Sequence, residues 1–265
     1  MKIRKLSAAL LLVAAALPVR ATMPVSANFS MVSDERIMCD TDVDDDMTIA
    51  GMPMKNVRVL VSLVRPVDLG GHDLSPLVAA LDSVAGVRIS QSGALSVDSW
   101  KSLVAAPVSA ADAGYGQWLT VRSALVCLDG GLAVWRIDRE MYTGGAHGMY
   151  STDFVNYAVA DGNVLAFGDV FTDGSKPALR KAIRKWISDS EYAETVASYD
   201  DSGLGSVDVP SVFYFDGQGK VWFVYQPYEI APYSSGMIFV PLNVWEIGPA
   251  LTPYARRLLG VSSEE

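Results

Sequence analysis

The sequence predicts an α+β fold, with antiparallel sheets and a few helices packed on one face. Two observations predict it. From Gln117 onward, β-rich runs are joined by short Asp-Gly turn signals, and short turns join antiparallel neighbours. Segments of helical period interrupt these runs rather than following every strand.

The first element is not part of the mature fold. Lys2, Arg4 and Lys5 precede an apolar run from Leu6 to Leu17, broken only by Ser7. Pro18 ends it, and Val19-Arg20-Ala21 has the small-x-small pattern of a cleavage site. Residues 1–21 therefore read as a signal peptide, too short for the roughly 20 residues of a spanning helix. Cleavage removes four cations and no acids, taking the net charge from −9 to −13. No later segment reaches about 18 uninterrupted apolar residues. The mature chain is expected to carry no transmembrane anchor and to be periplasmic or secreted.

Two further regions are expected, an N-terminal α+β subdomain over 22–131 and a C-terminal one over 132–265. Residues 22–55 read as irregular. The run Asp40 to Asp46 begins like a calcium loop, but the sixth position is Asp45 where Gly is required. The twelfth is Gly51 where a bidentate Glu is required. It is a solvated acidic turn, or at most a weak calcium site, rather than an EF-hand. Asn56 to Val64 is a Val-rich strand. Ser75-Pro76 supplies an N-cap and a proline at N1, Leu77, Leu81 and Val84 make an apolar stripe, and Gly86 stands at C′. Residues 105–116, rich in Ala, Gly, Ser and Pro, read as a connection.

Trp118–Cys127 and Leu132–Tyr142 form a hairpin about Asp129-Gly130-Gly131. Asp153–Ala160 and Asn163–Phe167 flank Asp161-Gly162, and Ser211–Phe215 and Lys220–Tyr225 flank the turn from Asp216 to Gly219. A helix over 175–188 puts Leu179, Ile183, Trp186 and Ile187 on its apolar face and Arg180, Lys181, Arg184 and Lys185 mostly off it. Met237–Val240 is a further strand. Pro249–Leu259 is a last helix, with Arg256 and Arg257 favourably placed at its C-terminus.

The chemistry is defined largely by exclusion. At −9 and pI ≈ 4.7 the chain lacks the basic field of a general nucleic-acid binder. It holds no G-x-S-x-G, H-E-x-x-H, P-loop or G-x-G-x-x-G motif. Two histidines, His72 and His147, cannot build a His-rich zinc site, and no metal or cofactor is expected. Carboxylates are plentiful, but their spacing nominates no acid pair. In an oxidising compartment the two cysteines, Cys39 and Cys127, are candidates for a disulfide or for two buried thiols.

Two segments stand out. Tyr142-Thr143-Gly144-Gly145-Ala146-His147-Gly148 pairs glycines, which permit close backbone approach, with a histidine. His147 is either a proton carrier or ligand contact, or the fastener of a wide turn. Tyr225-Gln226-Pro227-Tyr228-Glu229-Ile230-Ala231-Pro232-Tyr233, ending at Gly236, interrupts strand pairing with two prolines. Its tyrosines and Glu229 make either an amphipathic binding surface or a structural bend.

The order of these motifs, with Gly168-Asp169-Val170-Phe171 and the Phe215/Gly219 hairpin between them, resembles the extracytoplasmic domain of the anti-sigma factor RsiV. It is similar also to the accessory N-terminal domain of PdaC-type peptidoglycan deacetylases. The resemblance runs from about Leu132 to Leu259 and is only topological from Asn56 to Gly131. It implies an α+β domain of the cell envelope, with lysozyme sensing in the anti-sigma branch. It carries over neither the sigma-binding region nor the deacetylase domain with its metal site.

The expected function is a non-catalytic envelope binding module for a cell-wall polymer or an extracytoplasmic protein, possible ligands including lysozyme-like proteins. The alternative is a small hydrolase of envelope glycans using a carboxylate and His147. Candidate ligand-binding residues are Tyr142, Gly144, Gly145, His147, Tyr228, Glu229 and Tyr233, expected to share one surface.

Overall fold

A computed structural model describes residues 26–39, 48–49, 52–53, 56–89, 94–96, 98–99, 103, 117–129, 131–143, 146–199 and 203–261. The expected signal peptide, the acidic run Asp40–Asp46 and the expected connection 105–116 lie outside the described residues. The α+β class is observed. A six-stranded sheet has the order β1-β4-β5-β6-β7-β8, with β1 Ala27–Cys39, β4 Asn56–Leu69, β5 Gln117–Leu128, β6 Leu132–Tyr142, β7 Met149–Ala158 and β8 Asn163–Val164. A three-stranded sheet has the order β11-β10-β9, with β9 Val212–Phe215, β10 Lys220–Tyr225 and β11 Ile238–Asn243. The short pair β2 Thr48–Ile49 and β3 Met52–Pro53 completes the strands. The helices are α1 Ser75–Ala85, α2 Phe167–Val170, α3 Lys176–Ser188, α4 Ala193–Ala197 and α5 Pro253–Leu259. Among the described residues no helix is long and apolar enough to cross a membrane.

The chain divides into two compact units. One comprises Met1–Ala124 and Arg136–Thr152, the other Leu125–Trp135 and Asp153–Glu265.

In the first unit, β4 buries Val59, Val61 and Leu63 at period two, and β5 buries Leu119 and Val121. Helix α1 adds Leu77, Leu81 and Ala85. The β4–β5 pair is parallel, Val57 facing Gln117 through Ser62 facing Arg122. This departs from the antiparallel expectation, and its reason is the crossover through α1. Beyond that register the Ser123 hydroxyl accepts the Val64 N–H at 2.9 Å and so extends the ladder. Arg65 pairs with Asp82 and ties strand to helix. The Ser75 side chain does not cap α1; the Asp73 carboxylate accepts the Ser75 N–H at 2.9 Å instead. Gly86 ends the helix at φ 67°, and a side chain there would meet the Arg139 guanidinium, which donates to the Ala85 carbonyl at 2.9 Å.

Strand β1 corrects the irregular reading of 22–55. It pairs with β4 from Ala27 opposite Leu69 to Cys39 opposite Asn56. As the outer strand of the sheet it carries Asp34, Glu35 and Arg36, the polar composition that guards exposed edges and that concealed it in the sequence.

In the second unit, α3 lays Leu179, Ile183 and Ile187 onto a core with Phe213, Phe215, Phe223, Ile238, Val240 and Leu242. Phe171 meets Phe213 edge-on at 5.4 Å and Phe223 at 5.7 Å. Phe167 begins α2, where a strand was expected; the Asp169 carboxylate accepts the Ala166 N–H at 2.8 Å and starts the turn. The last helix starts at Pro253, because Thr252 accepts the Ala255 N–H at 3.0 Å as its N-cap. The cations of α3 are largely committed. Arg180 holds Asp208 at 2.8 Å, Arg184 donates to the Val207 and Gly205 carbonyls, and Lys185 pairs with Asp189 at 2.7 Å.

The three-stranded sheet has β9 at its edge, and Asn156 of β7 closes that edge. The buried Asn156 amide donates to the Phe213 carbonyl at 2.9 Å and accepts the Phe215 N–H at 3.2 Å. Leucine at this position would leave two backbone groups unpaired in the core. Asn156→Leu should therefore lower stability by about 2–6 kcal/mol, at 1–3 kcal/mol for each stranded group. Urea denaturation measures it, and a loss below about 1 kcal/mol would contradict the clip.

The expected Cys39–Cys127 disulfide is not formed. Cys127 is a buried free thiol packed under the turn at Gly217, where an added Cβ would lie 2.8 Å from its sulfur. The register supplies the reason. Cys39 faces Asn56, beside the start of β5 at Gln117, whereas Cys127 stands ten residues further along β5. The Cys39 side chain lies outside the described residues. Burial, with the charges of Asp129 and Asp216, pushes the Cys127 thiol up to about 12 from 9.0. A raised folded value favours the neutral thiol, so its contribution to stability is complete below pH 9 and is lost as pH rises through about 12. Peptide maps should show no Cys39–Cys127 link. Native Cys127 should resist iodoacetamide at pH 8 and react in urea, and the stability advantage of the native chain over Cys127→Ala should shrink above pH 9.

Candidate functional site

The two segments singled out in the sequence fall in different units, and each is described by itself. In the first unit β6 ends at Tyr142 and β7 begins at Met149, so the glycine-histidine segment is the connection between neighbouring strands. Gly144 and Gly145 lie outside the described residues. Tyr142 is half-buried, and His147 is exposed. His147 Nδ1 is 2.9 Å from the Gly148 carbonyl, an acceptor only, so this nitrogen carries the proton. Gly148 packs on the strand before the loop: a Cβ there would stand 3.0 Å from the Met141 carbonyl oxygen. The last glycine of the motif thus serves close backbone approach.

In the second unit the tyrosine segment leaves the end of β10 at Tyr225. That residue is anchored in the core, its hydroxyl donating to the Asp208 carbonyl at 2.5 Å. Burial first, then the charges of Glu229 and Asp208, hold its phenol well above the usual range. Gln226-Pro227-Tyr228-Glu229 then forms a tight turn closed by the Glu229 N–H on the Gln226 carbonyl at 3.1 Å. Pro227 occupies the second position, and Tyr228, at φ 72°, the third. A turn with positive φ at its third position ordinarily takes Gly or Asn there. Tyr228 is the one non-glycine residue with positive φ among the described residues, and it is 45% exposed. A left-handed non-glycine residue costs roughly 1–2 kcal/mol.

Three contacts hold this conformation. The Glu229 carboxylate accepts the Gln226 N–H at 2.6 Å. The Tyr199 hydroxyl donates to the Tyr228 carbonyl at 3.2 Å. The Tyr233 ring lies 5.7 Å from that of Tyr228, tilted by 34°. Partial desolvation raises the Glu229 carboxyl above its ordinary value, and the Gln226 N–H offsets part of that rise. Ile230 and Ala231 are buried beneath the turn.

The structure therefore places Tyr228 and Glu229 on one turn, with the Tyr233 ring against that of Tyr228. It adds Tyr199, which sequence reading missed. Tyr199 follows α4, 29 positions before its partner, and no local pattern links the two. Among the described residues no cluster of His, Cys, Asp and Glu could hold a metal ion.

Comparison with known proteins bears on the second unit above all. Residues 168–243 match a family described as a protein of unknown function, DUF3298. That stretch runs from α2 to the end of β11 and contains the whole tyrosine segment. No curated protein matches. The fold is similar to the crystal structure of a DUF3298 family member from Bacteroides fragilis, with a TM-score of 0.66 at 18% identity, covering 91% of this chain and 99% of that one. It is similar also to a DUF3298 family protein from Pseudomonas aeruginosa, with a TM-score of 0.59 at 17% identity, covering 88% of this chain and 97% of that one.

Proposed function

We propose that this protein is an exported, non-catalytic binding module of the cell envelope, akin to RsiV-like and PdaC-accessory domains, and that the Tyr228 turn is its binding surface. The observation that carries the reading is the conformation of Tyr228. Glycine would meet the backbone requirement at lower cost, so an exposed tyrosine held there by Pro227, Tyr199 and Glu229 is best explained by the use of its ring. Strain of this kind gathers at ligand clamps. Tyr228, Tyr233 and Tyr199 present aromatic area with polar tips, the composition of residues that dominate binding energy. The glycine-histidine segment of the first unit, with Tyr142, Gly144, Gly145 and His147, is proposed as a separate contact region of that unit. The ligand class is an envelope polymer or an extracytoplasmic protein, and lysozyme is the first protein to test.

The test separates binding from folding. Tyr228→Gly relieves the strained backbone, so stability should change by less than about 1 kcal/mol. Capture of cell-wall fragments or lysozyme should weaken by roughly tenfold or more, as for a central aromatic contact. Undiminished capture by a folded Tyr228→Gly variant would overturn the assignment, and release of reducing ends from glycan by the native protein would overturn the non-catalytic reading.

Export rests on the n-region, the short apolar core and the Val19-x-Ala21 site. Protein recovered from its native host should begin at Thr22 on N-terminal sequencing; retention of Met1 would refute export by this route.

A further inference from the structure

The β6–β7 hairpin of the first unit gathers two thioethers and an imidazole at its loop end. Its register is fixed at two points. Gly148 stands opposite Tyr142, since a Cβ there would lie 3.9 Å from the Tyr142 Cβ. Four residues further from the loop on each strand, the Thr152 hydroxyl donates to the Asp138 carboxylate. Both points give the same pairing, so no bulge intervenes and Met141 of β6 faces Met149 of β7. Directly opposed side chains share a face of the sheet, with Cβ atoms about 5 Å apart.

Met149 is 43% exposed and Met141 half-buried, so an ion from solvent can reach the pair. Each thioether sits on an unbranched chain with three rotatable bonds, which lets the two sulfurs converge on one ion. His147 precedes Met149 by two residues. Gly148 between them packs on Met141, where a Cβ would stand 3.0 Å from the Met141 carbonyl oxygen, and so holds the loop down on the methionine pair. His147 Nδ1 donates to the Gly148 carbonyl at 2.9 Å, which puts the lone pair of the exposed ring on Nε2. One ring N–H given to a backbone carbonyl is the bond that fixes tautomer and orientation in metal-ligating histidines.

We propose that Met141, His147 and Met149 bind a single Cu(I) ion through two thioether sulfurs and Nε2 of the imidazole. The donor set selects the metal. Thioether sulfur is a soft ligand that favours Cu(I), whereas Zn(II) sites are built from thiolate, imidazole and carboxylate. Among the described residues no group of three His, Cys, Asp and Glu could hold a metal, so the thioethers carry this site. All three donors are neutral. A monovalent ion therefore leaves less uncompensated charge at the sheet than a divalent one. The site is independent of the Tyr228 turn, which belongs to the other unit, and of any polymer or protein contact made by the same segment.

The experiment is an anaerobic metal titration of the whole protein, after iodoacetamide has capped its accessible thiols. The probes are Cu(I) buffered by bicinchoninate, Ag(I) as its redox-inert counterpart, and Zn(II). The first equivalent of Ag(I) should move the methyl NMR signals of Met141 and Met149, and Zn(II) should leave them in place. Leucine keeps the volume of methionine, so Met141→Leu and Met149→Leu retain the fold. Each should weaken Cu(I) and Ag(I) by at least about tenfold, the loss that follows removal of even an outer partner of a metal ligand. His147→Ala should do the same. A first equivalent of Ag(I) that leaves both methyl signals unmoved, native affinity in the Met141→Leu/Met149→Leu double variant, or tighter binding of Zn(II) than of Ag(I) would each overturn the proposal.

Discussion

The second unit depends on one side-chain amide. A three-stranded sheet leaves its edge strand with unpaired backbone groups, and in β9 those groups belong to residues whose side chains fill the core. Burial without partners would cost more than the aromatic packing returns. Asn156 resolves the conflict by acting as a fragment of strand, offering a donor to Phe213 and an acceptor to Phe215. Its own carbonyl takes the Leu165 N–H at 2.8 Å. With the edge satisfied, β9 can present Phe213 and Phe215 inward and Tyr214 outward, and Tyr214 stacks at 4.1 Å on Phe154 from β7. The edge and the outward face of β9 are thereby both tied to the strand that bears the clip.

Elements whose logic is local were legible in the sequence. Helix α3 follows from the spacing of Leu179, Ile183 and Ile187, and its observed range differs from the expected one by a residue at the start. The β9–β10 hairpin follows from Asp216 and the glycines after it, because the Asp216 carboxylate accepts the Gln218 and Lys220 N–H groups within the turn. Elements whose logic is distant were not legible. Strand β1 has the polar composition of an edge and needs β4 to define it. The parallel β4–β5 pair depends on a crossover, and short-range turn signals are silent about crossovers. The expectation of a disulfide came from compartment and parity alone, and the strand register placed Cys39 and Cys127 far apart.

The site was half legible for the same reason. The prolines and tyrosines after Tyr225 mark an irregular, amphipathic segment at sight. Nothing in their order says that Tyr228 is the residue forced to positive φ, because that position commonly holds glycine or asparagine and pattern reading expects them there. Tyr199 is further from view, since it reaches the turn only through the folding of α4. The strain is the more informative signal. It marks a position where the local rule is broken and the surrounding contacts over-determine the breach.

Strand β10 explains why such a breach is tolerable. Val221, Phe223, Val224 and Tyr225 are all buried, so the strand is among the most firmly held parts of the unit. A turn that begins from Tyr225, itself tied to Asp208, inherits that rigidity, and a cost of roughly 1–2 kcal/mol at Tyr228 is small against the core that surrounds it. The same holds at the other end, where Lys220 and Trp222 leave the strand on its outer face while Val221 and Phe223 stay inside. A well-packed strand can carry an exposed aromatic group on the connection at its end without loss of order. Each end is a short connection on a fixed frame, where binding residues can be positioned by the scaffold and need not be ordered by the ligand.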